Sequence, residues 1–507
     1  MVFYKQLFEQ NNKFFAEFKA KRKKYLTFGI ASILIFLTIL YLGPLNGLEN
    51  LGLIGEKKKE QLASAQAIRG IEGDNWADVI IGQPDFSEII PNKVVPNRLY
   101  GSHGVIIDRF STPQKLYVND AGNNRILGFN WDACISRTTN PLNCSATIVI
   151  GQPNMNSGAC NGDSNFQNYP NRAPASAATR CSEGEGVGSV EESIMGTSMA
   201  VDSGGNLYAA DFVNHRVLKY IKPFETDSIA DEVWGQDDFT GQIANKGRGS
   251  PDATTLFFNT CCNAFLTAVE VDSAGNVWVG DSGNNRVLRF PAGSRTADLV
   301  LGQTSFTSFV PGSGLNKISS PTVVRVNSRG WVYVADPGNN RVLRFKPPYS
   351  NGMNGEVFGS GFNYPHGIEF DPTRPNKVWI ANKGQRVHEL WDEDTNTRIL
   401  ELGVRGDGNT LGDATGSVGI DSSGNMAITP GPVYKFDIVI YTKADIDAGR
   451  TQFPGKQLLG TNHDEGNLVT SDELGRQVPG VAVSSLDDQL FVGGAGRVLV
   501  WNNLQSL

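Results

Sequence analysis

The sequence lacks the short motifs that carry much of the known enzymatic chemistry. No Gly-x-Ser-x-Gly nucleophile elbow, Walker loop or His-Glu-x-x-His zinc motif occurs in its 507 residues. The six cysteines include no Cys-x-x-Cys pair, the commonest zinc-ligand spacing. We therefore name no catalytic residue and expect no cofactor, with zinc or calcium as alternatives. An acidic run at residues 406–413 lacks the ligand spacing of an EF-hand calcium loop, so we interpret it as a solvated loop.

The main body of the chain also lacks positive charge. The formal net charge is −7, and residues 1–24 hold seven Lys/Arg against two acids, which leaves about −12 on the remainder. Contacts to nucleic-acid phosphates need a basic surface. We therefore exclude nucleic acid as a partner.

Long hydrophobic runs are absent, with one exception near the N-terminus. Residues 26–42 read LTFGIASILIFLTILYL without a charge, directly after a cytoplasm-directing cluster, Lys21-Arg22-Lys23-Lys24. With Tyr25 the run is long enough to span a hydrocarbon core of ~30 Å. By the positive-inside rule the basic end stays in the cytoplasm and the rest of the chain is exported.

The sequence thus divides into four parts: a cytoplasmic basic segment (1–24), a transmembrane signal-anchor helix (25–42), a spacer (43–76) and a large domain (77–507). A cleaved signal peptide and a buried core helix are the alternatives for residues 25–42. No small-x-small cleavage site directly follows the apolar run, which favours the uncleaved anchor. We expect a single-pass membrane protein with an extracytoplasmic C-terminal domain.

A repeated unit fills the large domain. Each unit reads as three short strands, with Ser-x-Gly-Asn at the first turn and Gly-Asn-Asn before Arg-Val-Leu-x-Phe at the second. Gly and Asn tolerate the positive φ that tight turns require, and β-branched and aromatic residues suit half-buried strands. The clearest copies are 105–129, 200–220, 269–290 and 324–345, and the looser ones are 367–390, 419–441 and 481–501.

A fourth strand with its own signature accompanies each unit. Copies such as IVIGQ (148–152) and LVLGQ (299–303) follow six of the seven triplets, while one copy, VIIGQ (79–83), precedes them all. The last triplet has no strand after it. We therefore predict an all-β, seven-bladed β-propeller in which the N-terminal strand completes the last blade and leaves no open sheet edge.

The units resemble the NHL repeat, whose hallmark is Asp-x-Gly-Asn-x-Val-x-Asp-x-x-Asn-x-Arg-Val. The resemblance covers roughly residues 77–507 and implies an NHL-type propeller. Members of that family commonly have six blades, so a six-bladed ring is the alternative. The aspartates and arginines that recur in the repeat, such as Asp281 and Arg286, are interpreted as structural links between strand ends or neighbouring blades.

Propeller connectivity assigns the loops to two faces. The first strand runs downward beside the central channel, so loops 1–2 and 3–4 lie at the bottom and loops 2–3 and 4–1 at the top. The two largest insertions, 153–197 and 237–267, are both 4–1 loops. Long loops on a rigid scaffold are where binding usually resides. The top face is therefore the predicted binding face, with simple covering of blade edges as the alternative.

Six cysteines in an exported domain suggest disulfides. Cys134 and Cys144 share a bottom loop, so each is the other's near partner. The remaining four, Cys160, Cys181, Cys261 and Cys262, belong to the top loops and can pair among themselves in three ways.

Two histidines occupy equivalent places at the top mouth of the channel. His103 and His366 each stand five residues before the aspartate that ends a first strand, and other blades have Thr197, Thr267 and Thr322 there. We name these five residues as channel-mouth ligand candidates. The resemblance extends to the family's amidating lyases, which hold zinc through channel histidines. A third matching histidine is missing, so we name no metal ligand.

Three functions remain open. We favour a non-enzymatic binding or scaffold module that recognises a protein or glycan outside the cytoplasm through its top-face loops. The alternatives are a lyase or hydrolase at the channel mouth, metal-dependent or not, and a sensor that signals to residues 1–24.

Overall fold

Seven four-stranded antiparallel sheets make up the described part of the chain. The structure is a computed structural model that describes residues 79–82, 94–100, 102–135, 144–162, 173–181, 199–259, 269–385, 387–402, 418–421, 423–428, 438–449, 456–458, 481–484, 489–493 and 498–501. The sheets, here called blades 1 to 7, follow one another along the chain.

Each blade uses consecutive strands in spatial order, except blade 7, which takes its outer strand from the N-terminus. Blades 1 to 3 contain β2 Ser102–Asp108, β3 Lys115–Asp120, β4 Arg125–Asn130 and β5 Ile148–Ile150; β6 Met199–Val201, β7 Leu207–Asp211, β8 Arg216–Tyr220 and β9 Glu232–Trp234; β10 Val269–Val271, β11 Val277–Asp281, β12 Arg286–Phe290 and β13 Leu299–Leu301. Blades 4 and 5 contain β14 Val323–Val326, β15 Val332–Asp336, β16 Arg341–Phe345 and β17 Glu356–Phe358; β18 Pro365–Phe370, β19 Lys377–Asn382, β20 Val387–Asp392 and β21 Thr397–Leu402. Blades 6 and 7 contain β22 Val418–Ile420, β23 Met426–Ile428, β24 Ile438–Tyr441 and β25 Lys456–Leu458; β26 Val481–Ser484, β27 Gln489–Gly493, β28 Val498–Trp501 and β1 Val79–Ile81.

Helical structure among these residues is short. The α-helices α1 Trp131–Ile135 and α2 Lys443–Asp447 follow third strands, and 3-10 turns such as Ser282–Asn284 follow second strands. No helix in the described ranges is long and apolar enough to cross a membrane. The predicted transmembrane helix, residues 25–42, lies outside those ranges, as do the 1–24 segment and the 43–76 spacer.

The ring closes as the count of fourth strands predicted. β1 pairs antiparallel with β28, with Val79 opposite Val500, Ile80 opposite Leu499 and Ile81 opposite Val498. First strands of consecutive blades are neighbours all the way round, and β26 of blade 7 adjoins β2 of blade 1. The seven-blade prediction is confirmed, and the six-bladed alternative is wrong.

The turn chemistry of the repeat explains its regularity. In blade 3, Asp272 Oδ1 accepts hydrogen bonds from the backbone N–H groups of Ala274 and Asn276. Gly275 has φ +80° and Asn285 has φ +54°, values that glycine and asparagine tolerate better than other residues. Gly205, Gly330 and Gly424 repeat this positive φ in blades 2, 4 and 6, so the first hairpins of these four blades share one register.

Apolar packing lies between the blades. Along β11, Val277 and Val279 pack toward blade 2, in a buried cluster with Ala210 and Trp234. Trp278, between them in sequence, packs toward blade 4 with Val324 and Val334. Alternate residues of a strand point to opposite faces, so every blade contributes to two cores.

Two disulfides are present among the described cysteines. Cys134, in α1, bonds Cys144 across the bottom loop of blade 1, as predicted. Cys160 bonds Cys181 in the loop between blades 1 and 2, which selects one of the pairings that the sequence left open. Cys261 and Cys262 lie outside the described residues.

Candidate functional site

Four blades each contain a buried Asp–Arg ion pair at the top. The aspartate that ends the second strand accepts a hydrogen bond from Nε of the arginine that begins the third. The pairs are Asp120–Arg125, Asp211–Arg216 and Asp281–Arg286 at 2.7 Å and Asp336–Arg341 at 2.8 Å. The structural interpretation of these repeated residues is confirmed.

Three of these arginines, Arg125, Arg216 and Arg286, also fix the loops on both sides of their blades, and Arg341 fixes the loop before blade 4. Arg286 Nη2 donates to the carbonyl oxygens of Asp252 and Thr255 in the loop before blade 3, and Nη1 donates to that of Phe306 in the loop after it. Asp281 Oδ1 accepts from the Phe257 backbone N–H at 2.7 Å. The top loops are therefore attached to the scaffold by buried charge-assisted hydrogen bonds, which are stronger than neutral ones.

The glutamine of the fourth-strand signature holds the same loops from the other end. Gln236 Nε2 donates to the Ile243 carbonyl at 3.0 Å, and Gln303 Nε2 donates to the Val310 carbonyl at 3.1 Å. Sequence reasoning used this glutamine to count strands and did not find its role.

Large apolar side chains are exposed on these rigid loops. Ile243 and Val310 stand seven residues after their glutamines, and each is 62% exposed. Phe309 and Leu315, on the second loop, are 41% and 42% exposed. We call these four residues the apolar top patch. Exposed apolar residues on a fixed surface are typical of a binding site.

The two loops of the apolar top patch flank the 2–3 turn of blade 3. The side chains of Asn245 and Asn284 donate to each other at 3.0 and 2.8 Å. On the other side, Asn285 Nδ2 donates to the Phe309 carbonyl at 3.0 Å. Both loops are thus fixed to the same turn, and the patch belongs to one region of the top face.

The sequence predicted one of the two loops that carry the apolar top patch. Ile243 lies in the predicted insertion 237–267. The loop that carries Phe309, Val310 and Leu315 was missed because it is shorter than the two insertions. Its sequence, FTSFVPGSGL, places four large apolar residues in a Gly/Ser/Pro-rich loop, and that was the available signal.

The structure brings two of the channel-mouth candidates to neighbouring blades. Thr322 directly precedes β14 and His366 is the second residue of β18, so both lie at the top of the innermost strands. His103 has the equivalent place in β2, and the register of both strands shifts at its histidine. Thr197 and Thr267 lie outside the described residues, and so does the 406–413 run.

The Thr322 and His366 side chains are buried. The Thr322 Oγ1 has no hydrogen-bond partner among the described residues. The His366 ring lies 5.0 Å from the Tyr364 ring, and burial, together with Lys383, lowers the pKa of His366 to about 3. No group of three His, Cys, Asp or Glu side chains within the described ranges is placed to hold a metal ion.

A further histidine is buried in blade 5. His388, on β20, is fully buried, and neither ring nitrogen has a hydrogen-bond partner within the described part of the chain. His388 is paired with Ala381, the residue before the last one of the second strand. In blades 1 to 4 the residue paired at that place is apolar: Ile126, Val217, Val287 and Val342. Burial lowers the pKa of His388 to about 4.

We expect His388 to make the protein sensitive to acid. Its pKa is about 4 in the folded chain against an ordinary value of 6.5, so between these pH values the unfolded chain binds the additional proton. Stability is therefore retained above pH ~6.5 and is lost as the pH falls toward 4, by up to roughly 3 kcal/mol. In urea unfolding at pH 7 and pH 4.5, His388→Val should lose less stability on acidification than the intact protein. Val310→Thr, an exposed substitution that keeps both buried histidines, is the control, and an unchanged pH dependence in His388→Val would contradict the assignment.

Parts of the chain are similar in sequence to curated proteins. No family model matches the chain. A peptidyl-glycine alpha-amidating monooxygenase A from Xenopus laevis is 30% identical over 198 residues, 34% of this chain and 20% of that protein. NHL repeat-containing protein 3 of Mus musculus is 28% identical over 133 residues, 24% of this chain and 36% of that protein. The chain thus spans about a fifth to a third of the length of these relatives.

Among solved structures, a streptogramin B lyase superposes with a TM-score of 0.47 and 11% identity, over 82% of this chain and 96% of that one. A likeness at this level supports no statement about function. The fold defines the chain as a seven-bladed β-propeller. Its repeat units resemble the NHL repeat, and two of its curated relatives, from Mus musculus and Homo sapiens, are named for that repeat.

Proposed function

We propose that this chain is a binding module that recognises a protein partner through the apolar top patch. The observation that carries the proposal is the exposure of Ile243, Phe309, Val310 and Leu315 on loops fixed by buried arginines and glutamines. A loop that is already ordered loses little conformational entropy on binding, so its apolar surface contributes more of its burial energy to affinity. Three of the four side chains are aliphatic, which favours a protein over a glycan.

The bottom face provides an internal comparison. Ile229, in the loop between β8 and β9, is 50% exposed, and the other exposed large apolar residue of that loop, Ile221, is 38% exposed. Single exposed apolar residues are common on protein surfaces. Ile229 therefore serves as a control for apolar exposure alone.

Site-specific photo-crosslinking tests the binding face. A photoreactive residue at Val310 or Ile243 should form a discrete adduct with a partner protein in native membranes, whereas one at Ile229 should not. Adding Phe309→Asp should reduce the Val310 adduct more than tenfold without lowering the melting temperature, because a buried charge at an interface costs several kcal/mol. Equal labelling from Ile229 and Val310 would overturn the proposal.

We also propose that residues 25–42 anchor the propeller in a membrane, with residues 1–24 in the cytoplasm. The support is the uncharged run after four consecutive basic residues.

Protease accessibility tests this topology. Protease added to intact cells or spheroplasts should digest the propeller, residues 77–507, and spare an epitope placed before residue 24. Protection of the propeller until the membrane is permeabilised would contradict export, whereas a propeller released into the medium would indicate cleavage of the anchor.

A further inference from the structure

Arg180 occupies a place that other blades fill with an apolar side chain. In each case the residue packs over the glycine of the fourth-strand signature, so closely that a Cβ on the glycine would meet it within 3 Å. Leu99, Leu256, Ile318 and Phe362 do so over Gly82, Gly235, Gly302 and Gly359, and Arg180 does so over Gly151. The repeat therefore provides four examples of this position without a charge.

The Arg180 guanidinium is incompletely satisfied. Its side chain is fully buried, and Nη2 donates to the Ala210 carbonyl at 2.8 Å. Nε and Nη1 have no hydrogen-bond partner among the described residues. Arginine stays protonated in proteins, so this position holds a buried positive charge.

The nearby carboxylate is already engaged. Asp211 accepts hydrogen bonds from Arg216 Nε at 2.7 Å, from Asn214 Nδ2 at 2.9 Å and from the Cys181 backbone N–H at 2.7 Å. Asp211 and Arg216 are the charged neighbours that act on Arg180, the first favouring its charge and the second opposing it. Two guanidinium groups and one carboxylate leave one uncompensated positive charge, and an unpaired buried charge is costly.

A second donor without an acceptor lies nearby. Tyr220, at the end of β8, is fully buried, interacts electrostatically with Arg180, and its hydroxyl has no hydrogen-bond partner among the described residues. Burial raises the pKa of Tyr220, so the phenol keeps its proton and cannot supply the missing negative charge. Its hydroxyl remains available as a donor.

We propose that Arg180 and Tyr220 bind a small monovalent anion, chloride, between blades 1 and 2. Arg180 Nε and Nη1 and the Tyr220 hydroxyl provide the donors, and the anion neutralises the charge that Asp211 leaves uncompensated. A water molecule would accept from these donors but would leave the charge in place. Complete burial of both side chains favours a monatomic ion over phosphate or a carboxylate.

The anion has a structural consequence for the top face. Arg180 directly precedes Cys181, which closes the disulfide with Cys160 and donates to Asp211. Anion binding at Arg180 therefore stabilises this covalently closed loop on blade 2. The inference does not depend on the partner proposed for the apolar top patch.

Halide-dependent unfolding of the full chain tests the proposal. At constant ionic strength, replacing sodium gluconate with sodium chloride or bromide should raise the melting temperature by a few degrees and then saturate, because a ligand of the folded state stabilises it. Arg180→Leu, which copies Leu99 and Leu256, should show no halide response and should melt in gluconate no lower than the intact chain. Arg289→Leu, which removes a half-buried arginine of blade 3, should keep the full response.

Tyr220→Phe supplies a second measurement. It removes one donor while keeping the ring, so the halide concentration at half-maximal effect should rise several-fold. Bromide-soaked crystals should show an anomalous peak between Arg180 and Tyr220. An equal halide response in the intact chain and Arg180→Leu, or no response in the intact chain, would overturn the proposal and leave water as the occupant.

Discussion

A chain without residues 77–83 is expected to aggregate or to melt far below the intact protein. This deletion removes β1, whose Ile80 and Ile81 are fully buried and whose backbone pairs with β28. Burial of each isoleucine contributes roughly 2–5 kcal/mol by comparison with truncation to alanine, and an open edge on blade 7 exposes unpaired backbone groups. The total is comparable with the net stability of a whole domain, ~5–15 kcal/mol.

The matched control is a deletion of the same length in the predicted spacer, residues 46–52, which precedes the compact unit Gly70–Leu507. That variant should keep the melting temperature and the solubility of the intact chain. Thermal unfolding followed by circular dichroism, with size-exclusion chromatography, compares the two. If both deletions melt alike, pairing of β1 with β28 does not hold the ring together.

Replacing Arg286 with methionine is expected to cost about 3–5 kcal/mol. The substitution leaves Asp281 buried without its cation and removes three hydrogen bonds to the carbonyl oxygens of the flanking loops. Removing one partner of a buried ion pair is far more costly than the net value of the pair, because the other charge stays desolvated.

Arg289→Met is the control on the same strand. Arg289 is 23% exposed and lies over the Trp278 ring, and its partner Asp298 is 43% exposed, so water reaches the pair and this substitution should cost about 1 kcal/mol, well below the cost of Arg286→Met. Urea unfolding of both variants at neutral pH measures the difference. Similar costs for Arg286→Met and Arg289→Met would show that the buried pairs do not organise the blades.

Arg286→Met should also change the top face. Its guanidinium holds the loops before and after blade 3, and these two loops carry Ile243 and Phe309. We therefore expect stability and partner binding to be coupled at the Asp–Arg pairs, whereas Phe309→Asp should affect binding alone.

The NHL-type propeller was predictable because its information is local. The Ser-x-Gly-Asn and Gly-Asn-Asn turns prefer the backbone conformations seen at Gly275 and Asn285, and alternating apolar residues define the strands between them. Even the weakest copy, 419–441, forms β22, β23 and β24. Counting fourth strands gave seven blades, because the one unmatched fourth strand, at 79–83, fits the one triplet without a fourth strand, at 481–501.

The apolar top patch was less predictable, because the exposure of a side chain depends on residues that are far away in the sequence. Position in the repeat does not predict the exposure of Ile243. Ala159 follows Gln152 by the same seven residues, but it is buried. Likewise, Arg180 and His388 stand at positions that are apolar in other blades. Among the described residues, Arg180 Nε and Nη1 and both His388 ring nitrogens have no hydrogen-bond partner, and this follows from how neighbouring blades pack around them. The repeat puts Thr322 and His366 at equivalent positions. Their burial could be seen only once the blades were assembled into the ring.

The sequence by itself thus determined the repeat, the strand count, the closure of blade 7 by β1 and the Cys134–Cys144 disulfide, because each depends on residues close in the chain or on simple strand parity. Only the tertiary structure decided that Cys160 pairs with Cys181, that buried arginines fix the top loops, and that four apolar side chains remain exposed there. The physical reason is that burial and charge compensation depend on which blades meet, and residues far apart in the sequence make those contacts.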